Sequence, residues 1–120
     1  RADRTSARVL AAFAAPEEAS LLRAMLGRGH DAELLRIQKD GVLAIPSDTI
    51  AGVTDICAPV LDAAGVAVAA LNLTWLARRG ERAGAASAAG RVVAAAGAVS
   101  AALGFRPAGR LHRPLAPRAR

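Results

Sequence analysis

Tyrosine is absent from the chain, and Phe13, Trp75 and Phe105 are its only aromatic residues among 120. A core without rings is assembled from Ala, Val, Leu and Ile, which bury less surface per residue, so the stability margin is thin. Cysteine occurs once, at Cys57, which excludes an internal disulfide. With no CxxC and no His pair beside it, the chain offers no metal-ligand cluster, and neither a metal nor a cofactor is expected. That pattern fits a reduced, cytoplasmic protein. The start of the chain lacks a charged segment followed by an apolar run and a small-residue cleavage site, so no secretion signal is read there. Residues 88–105 are the one stretch that invites a membrane-spanning reading. Arg91 and Ser100 interrupt it, and its commonest residue is alanine, which partitions weakly into lipid. A helix of a soluble domain is the expectation.

Acidic residues are missing from the last segment, whereas Arg106, Arg110, Arg113, Arg118 and Arg120 all fall within it. The rest of the chain holds eleven basic against ten acidic residues, so the net charge of +6 belongs largely to this tail. A face that tracks phosphates lies on folded elements with aromatic or amide side chains beside it. This segment has Pro107, Pro114 and Pro117 and no periodic apolar face, so residues 106–120 read as a disordered Arg/Pro-rich extension.

What is present is an apolar chain, 53% hydrophobic, long enough for one domain and too short for two. Its first third is helical in pattern. Ser6 is placed to cap a short helix, and Pro16 opens a second with Glu17 and Glu18 at the positive end of its dipole. Gly27 ends that helix; Asp31 caps a third, which stops at Gly41. There the period changes, and residues 42–46 read as a strand followed by a turn-rich loop carrying Asp48.

Residues 55–74 read as a β-hairpin. Its connection places Asp62 where a turn needs a side-chain acceptor and Gly65 where a left-handed backbone is required. Pairing Leu61 with Val66 would set Pro59 opposite Val68, Cys57 opposite Ala70, Asp55 opposite Asn72 and Val53 opposite Thr74. Alternation puts all of these on one face. The other face, with Ile56, Ala58, Val60, Leu71 and Leu73, has no polar side chain and calls for a helix over it. Residues 81–104 supply one, with Ala85, Ala89, Val92, Ala96, Val99 and Leu103 as its apolar stripe. Gly84, Gly90 and Gly97 weaken that helix, and close packing is the expected compensation.

The face that carries Asp55, Cys57, Asn72 and Thr74 looks either at water, as half-buried antiparallel sheets usually do, or into a pocket. Val53, Pro59, Val66, Val68 and Ala70 make it too apolar for open exposure. An apolar concavity with a few polar groups is what a small-molecule site requires.

The order of "RTSARVLAAFAAPEEASLL", "LLRIQKDGVLAIPSDTIAGVTDICAPVLDAAGVAVAALNLTWLARR" and an alanine-rich helix ending "VSAALGF" resembles the C-terminal effector-binding domain of the IclR family of bacterial transcription regulators. Asp48 and Gly52 match an acidic position four residues before a glycine. Ala58, Pro59, Val60, Asp62 and Gly65 match an "APV" followed by Asp and Gly, and Leu103 and Gly104 match the closing Leu-Gly. The resemblance covers about residues 5–105, a partial effector-binding domain within residues 1–105. It implies an α+β, GAF-like fold: a curved antiparallel sheet with helices packed on one face, and an effector pocket on the other under loops and short helices.

In that family the domain binds small carboxylates or aromatic acids and works in dimers or tetramers of a DNA-binding regulator. The positions implied for effector binding are Asp48, Asp55, Pro59, Asn72 and Thr74, and strand alternation adds Cys57 on the same face. Two departures follow. Trp75 and Leu76 stand where small residues flank the family's pocket mouth, which narrows the expected site. The family's winged helix-turn-helix and the first strands of its sheet have no counterpart in these 120 residues, so the domain is truncated on its N-terminal side, and DNA contact is expected only through a domain absent from this chain.

Catalysis is not expected. A thiolate nucleophile needs a base within hydrogen-bond reach, and His30 lies far from Cys57 in the chain while His112 is in the tail. A structural or dimerisation module, or an inactive remnant without ligand, is the competing reading.

Overall fold

The structure, a computed structural model, describes residues 5–80 and 84–107. Three short helices come first: α1 (Thr5–Phe13), α2 (Pro16–Leu26) and α3 (Asp31–Asp40). Pro16 occupies the first turn of α2, where a missing N–H is harmless, and Gly27 closes it by donating its N–H to Arg23 O at 3.1 Å. Gly41, at φ 73°, ends α3 in the left-handed conformation that a side chain would disfavour. The cap of α3 is not Asp31, which is already helical. His30 holds that position without a side-chain cap bond, and its Nδ1 lies 3.4 Å from Glu33 Oε1 instead.

The strands β1 (Leu43–Pro46), β2 (Val53–Leu61) and β3 (Ala67–Leu76) form one antiparallel sheet in the order β1-β2-β3, followed by α4 (Ala85–Ala102). The α+β, antiparallel expectation holds. Helices lie on both faces, with α4 alone against the apolar side and α1 to α3 over the other. Among the described residues α4 is long and apolar enough to cross a membrane by length and composition. Here it is a packing element: Ala88, Val92 and Ala96 are buried with Ile56, Ala58 and Val60. On the opposite face Val9, Ala12, Leu34 and Ile37 close over Cys57.

The hairpin turn forms as its residues dictate. Asp62 Oδ1 accepts the N–H groups of Ala64 and Val66 at 2.9 and 3.1 Å, and Gly65 sits at φ 79°. The register differs from the one expected, however. Cys57 stands opposite Asn72, Asp55 opposite Thr74 and Val53 opposite Leu76. Two local causes each add one step. Asp62, rather than Leu61, donates to Val66 O, and a bulge falls between Val60 and Leu61. Because the total slip is two residues, every side chain keeps its expected face.

Two further expectations change. The buried stripe of α4 runs through Ala88, Val92, Ala96 and Ser100, while Val99 and Leu103 are each 48% exposed. A straight helix crossing the strands obliquely follows an i, i+4 row rather than alternating three and four. Close packing does not explain the glycines either: a Cβ at Gly84, Gly90 or Gly97 would meet nothing within 4 Å. The helix ends in a Schellman motif, with Gly104 N–H donating to Ala101 O and Phe105 N–H to Ser100 O, each at 3.0 Å. Most of the arginine-rich extension, residues 108–120 with His112, lies outside the described residues.

Candidate functional site

One end of the α1-facing side of the sheet is polar and open. It forms a cleft of about 740 Å³ between the start of α1, the loop after β1 and strands β2 and β3. Asp48, Asp55, Asn72 and Thr74 all line it. Two pieces of local chemistry position them. Period-two alternation aims Asp55, Asn72 and Thr74 to the same side, and Thr74 Oγ1 donates to Asp55 Oδ1 at 2.9 Å across the strand pair. Asp48 is carried by a side-chain-stabilised turn. Ser47 Oγ accepts the N–H groups of Thr49 and Ile50 at 3.2 and 3.1 Å, and Ser47 N–H donates to Val53 O at 2.8 Å. The loop thereby starts β2 with its acidic residue held over the cleft.

The structure does not bring Cys57 and Pro59 to that wall. Cys57 shares the face, yet the side chains of α1 and α3 cover it completely, and it is 0% exposed. Burial disfavours the thiolate and raises the thiol pKa from 9.0 to about 11. Such a thiol is a packing group, not a nucleophile. Pro59 lies farther along β2, in a separate depression of about 210 Å³ with Phe13, Gly97 and Phe105. There β1 no longer pairs with β2, so the N–H that proline lacks is not needed for the ladder.

Trp75, expected beside the pocket mouth, is on the opposite face and packs against the α4 cluster, because it is one residue out of phase with Thr74. It therefore does not narrow the cleft.

Sequence reasoning missed the contribution of α1. Thr5, Ser6 and Arg8 line the cleft, as do Ile45, Pro46, Ser47 and Thr49. Arg8 is the only charged residue in the nine of α1. It shares an i, i+4 row with Ala12, which packs inward, and that was the available signal. Its Nη1 donates to Glu33 Oε2 at 3.3 Å, tying α1 to α3, while its Nε is buried without a partner. Among the described residues no cluster of His, Cys, Asp and Glu could hold a metal ion. The site instead offers hydroxyl, amide, carboxylate and guanidinium groups around a small apolar patch, a set suited to orienting a polar small molecule.

A sheet with this helix arrangement is a fold found in solved transcriptional regulators. The chain is similar to the repressor BlcR of Agobacterium tumefaciens, with 18% identity and a TM-score of 0.64 over 88% of this chain and 47% of that one. It is also similar to HmgR of Pseudomonas aeruginosa, with 31% identity and a TM-score of 0.62 over 85% and 44%. The C-terminal domain of the E. coli transcriptional regulator KdgR gives 20% identity and a TM-score of 0.58 over 86% and 70%. The fold is that of the C-terminal effector-binding domain of IclR-type transcriptional regulators. The chain spans less than half the length of BlcR and HmgR. No family model and no curated protein sequence matches it.

Proposed function

We propose that this chain is the effector-sensing part of a cytoplasmic IclR-type regulator, binding a small organic acid in the cleft lined by Asp48, Asp55, Asn72 and Thr74. In this reading the bound acid biases how a dimer or tetramer engages DNA through a helix-turn-helix domain that lies outside this sequence. Cys57 and Pro59 act on the ligand only indirectly, Cys57 as the packed floor between α1 and β2. The observation that carries the reading is the convergence of four side chains from three separate segments on one cleft, in a fold shared with transcriptional regulators. Hydroxyl and amide groups outnumber apolar side chains around the cleft, which favours a small carboxylate over an aromatic acid.

The test is thermal unfolding followed by circular dichroism, with and without a panel of small carboxylates and aromatic acids. A ligand that binds the folded state raises the transition by mass action. The expected result is a rise with at least one acid, lost on replacing Asn72 and Thr74 together by alanine. A transition that no acid moves would favour the structural reading, for which the exposed Leu71, Leu73 and Leu76 of β3 are the supporting observation.

A further inference from the structure

The cleft carries charges of both signs, and their arrangement narrows the ligand. Arg8 is the cation. Its side chain is only 19% exposed, one terminal nitrogen is committed to Glu33, and Nε is buried with no acceptor among the described residues. A buried donor without a partner is costly unless a ligand or water takes its hydrogen bond. The neighbouring hydroxyl side chains of Thr5 and Ser6 line the same part of the cleft. On the strand side stand two carboxylates, Asp48 and Asp55, the second accepting from Thr74.

A ligand bearing only a carboxylate would satisfy Arg8 and at the same time add a negative charge to a space that already holds two. A ligand bearing only an ammonium would meet a like charge at Arg8. A zwitterion meets both demands, because each of its charges finds the opposite one and the net charge of the site does not grow.

We infer that the cleft selects a small α-amino acid, its carboxylate at Arg8 and its ammonium at Asp48 and Asp55. The inference rests on the sensing role proposed above and makes it specific.

Matched ligands test it by calorimetry on the full chain: alanine, lactate and propionate; leucine, 2-hydroxy-4-methylpentanoate and 4-methylpentanoate; glutamate, 2-hydroxyglutarate and glutarate. At least one amino acid should bind tenfold or more tightly than both of its counterparts. Arg8→Gln should reduce that binding at least tenfold, and Arg8→Lys should restore part of it. Asp48 is exposed, so Asp48→Asn leaves the fold intact and carries the test even if the Arg8 variants unfold. It should weaken the amino acid and leave its des-amino acid bound as well or better, because one like charge is gone. Equal binding of a hydroxy or des-amino acid, or amino-acid binding that Asp48→Asn leaves unchanged, overturns the zwitterion assignment without touching the sensing role. Failure of all nine, together with the failure of every acid in the unfolding panel, removes the sensing role and this assignment with it.

Discussion

The hydroxyl of Ser100 on α4 accepts the backbone N–H of Leu61 on β2 at 2.9 Å and donates to Ala96 O at 2.8 Å. Leu61 lies beyond the end of β1, where no strand among the described residues takes the hydrogen bonds of the outer side of β2. The helix thus supplies with one side chain what the sheet lacks. Replacing Ser100 with Ala leaves that N–H without its acceptor, at a cost of about 1–3 kcal/mol. Urea unfolding should show a lower midpoint at unchanged slope, and amide exchange at Leu61 should accelerate more than at Val60.

Gly90 and Gly97 face open space, so neither is required by a neighbour. Alanine at either position should stabilise the chain by roughly 0.5–1 kcal/mol, through helix propensity and a less flexible unfolded state. Gly104 is the contrast. It sits at φ 96° with a would-be Cβ 3.3 Å from that of Ala63, so alanine there should destabilise. Midpoints from thermal or urea unfolding check all three substitutions.

Cys57 makes stability pH-dependent in the alkaline range. The folded protein holds the thiol proton up to about 11, whereas the unfolded chain releases it near 9.0. Its contribution is complete below about pH 9 and declines as pH rises toward 11, by at most about 1.4 kcal/mol per pH unit. Cys57→Ala should flatten that part of the profile, whatever it does to absolute stability. Thiol titration of the native chain at pH 8 should be slow and accelerate with urea.

Among the described residues β3 has no partner on its outer edge, and Val68, Leu71, Leu73 and Leu76 are exposed along it. Long apolar edges pair with one another. Sedimentation should reveal concentration-dependent association, and Leu73→Lys should reduce it while leaving the far-ultraviolet spectrum unchanged.

The Asp55 to Thr74 hydrogen bond lies near solvent, so Thr74→Val should change stability by less than about 1 kcal/mol. Ligand-induced stabilisation should fall much further, because the same change removes a hydroxyl from the cleft and frees the Asp55 carboxylate. Parallel melts with and without the best acid of the panel separate the two effects.

Much of this protein was legible from residue order alone, because the deciding chemistry is local. Pro16, Gly27 and Gly41 set the helix ends through the backbone conformations they permit or refuse. Asp62 and Gly65 set the hairpin turn, and strict alternation put Asp55, Asn72 and Thr74 on one side, an outcome that the two-residue slip of the register preserved. Tertiary structure decided the rest. The register depended on a bulge beside Leu61, which forms where β1 has ended and a serine 39 residues away in the chain takes the free N–H. Cys57 and Thr74 share a face, but only the packing of α1 and α3 determines that one is sealed and the other faces the cleft. Arg8 joined the site for the same reason. Its partners, Glu33 and the cleft, come from segments that only the folded chain brings together; the i, i+4 row that it shares with Ala12 marks the side it faces but not what it meets there.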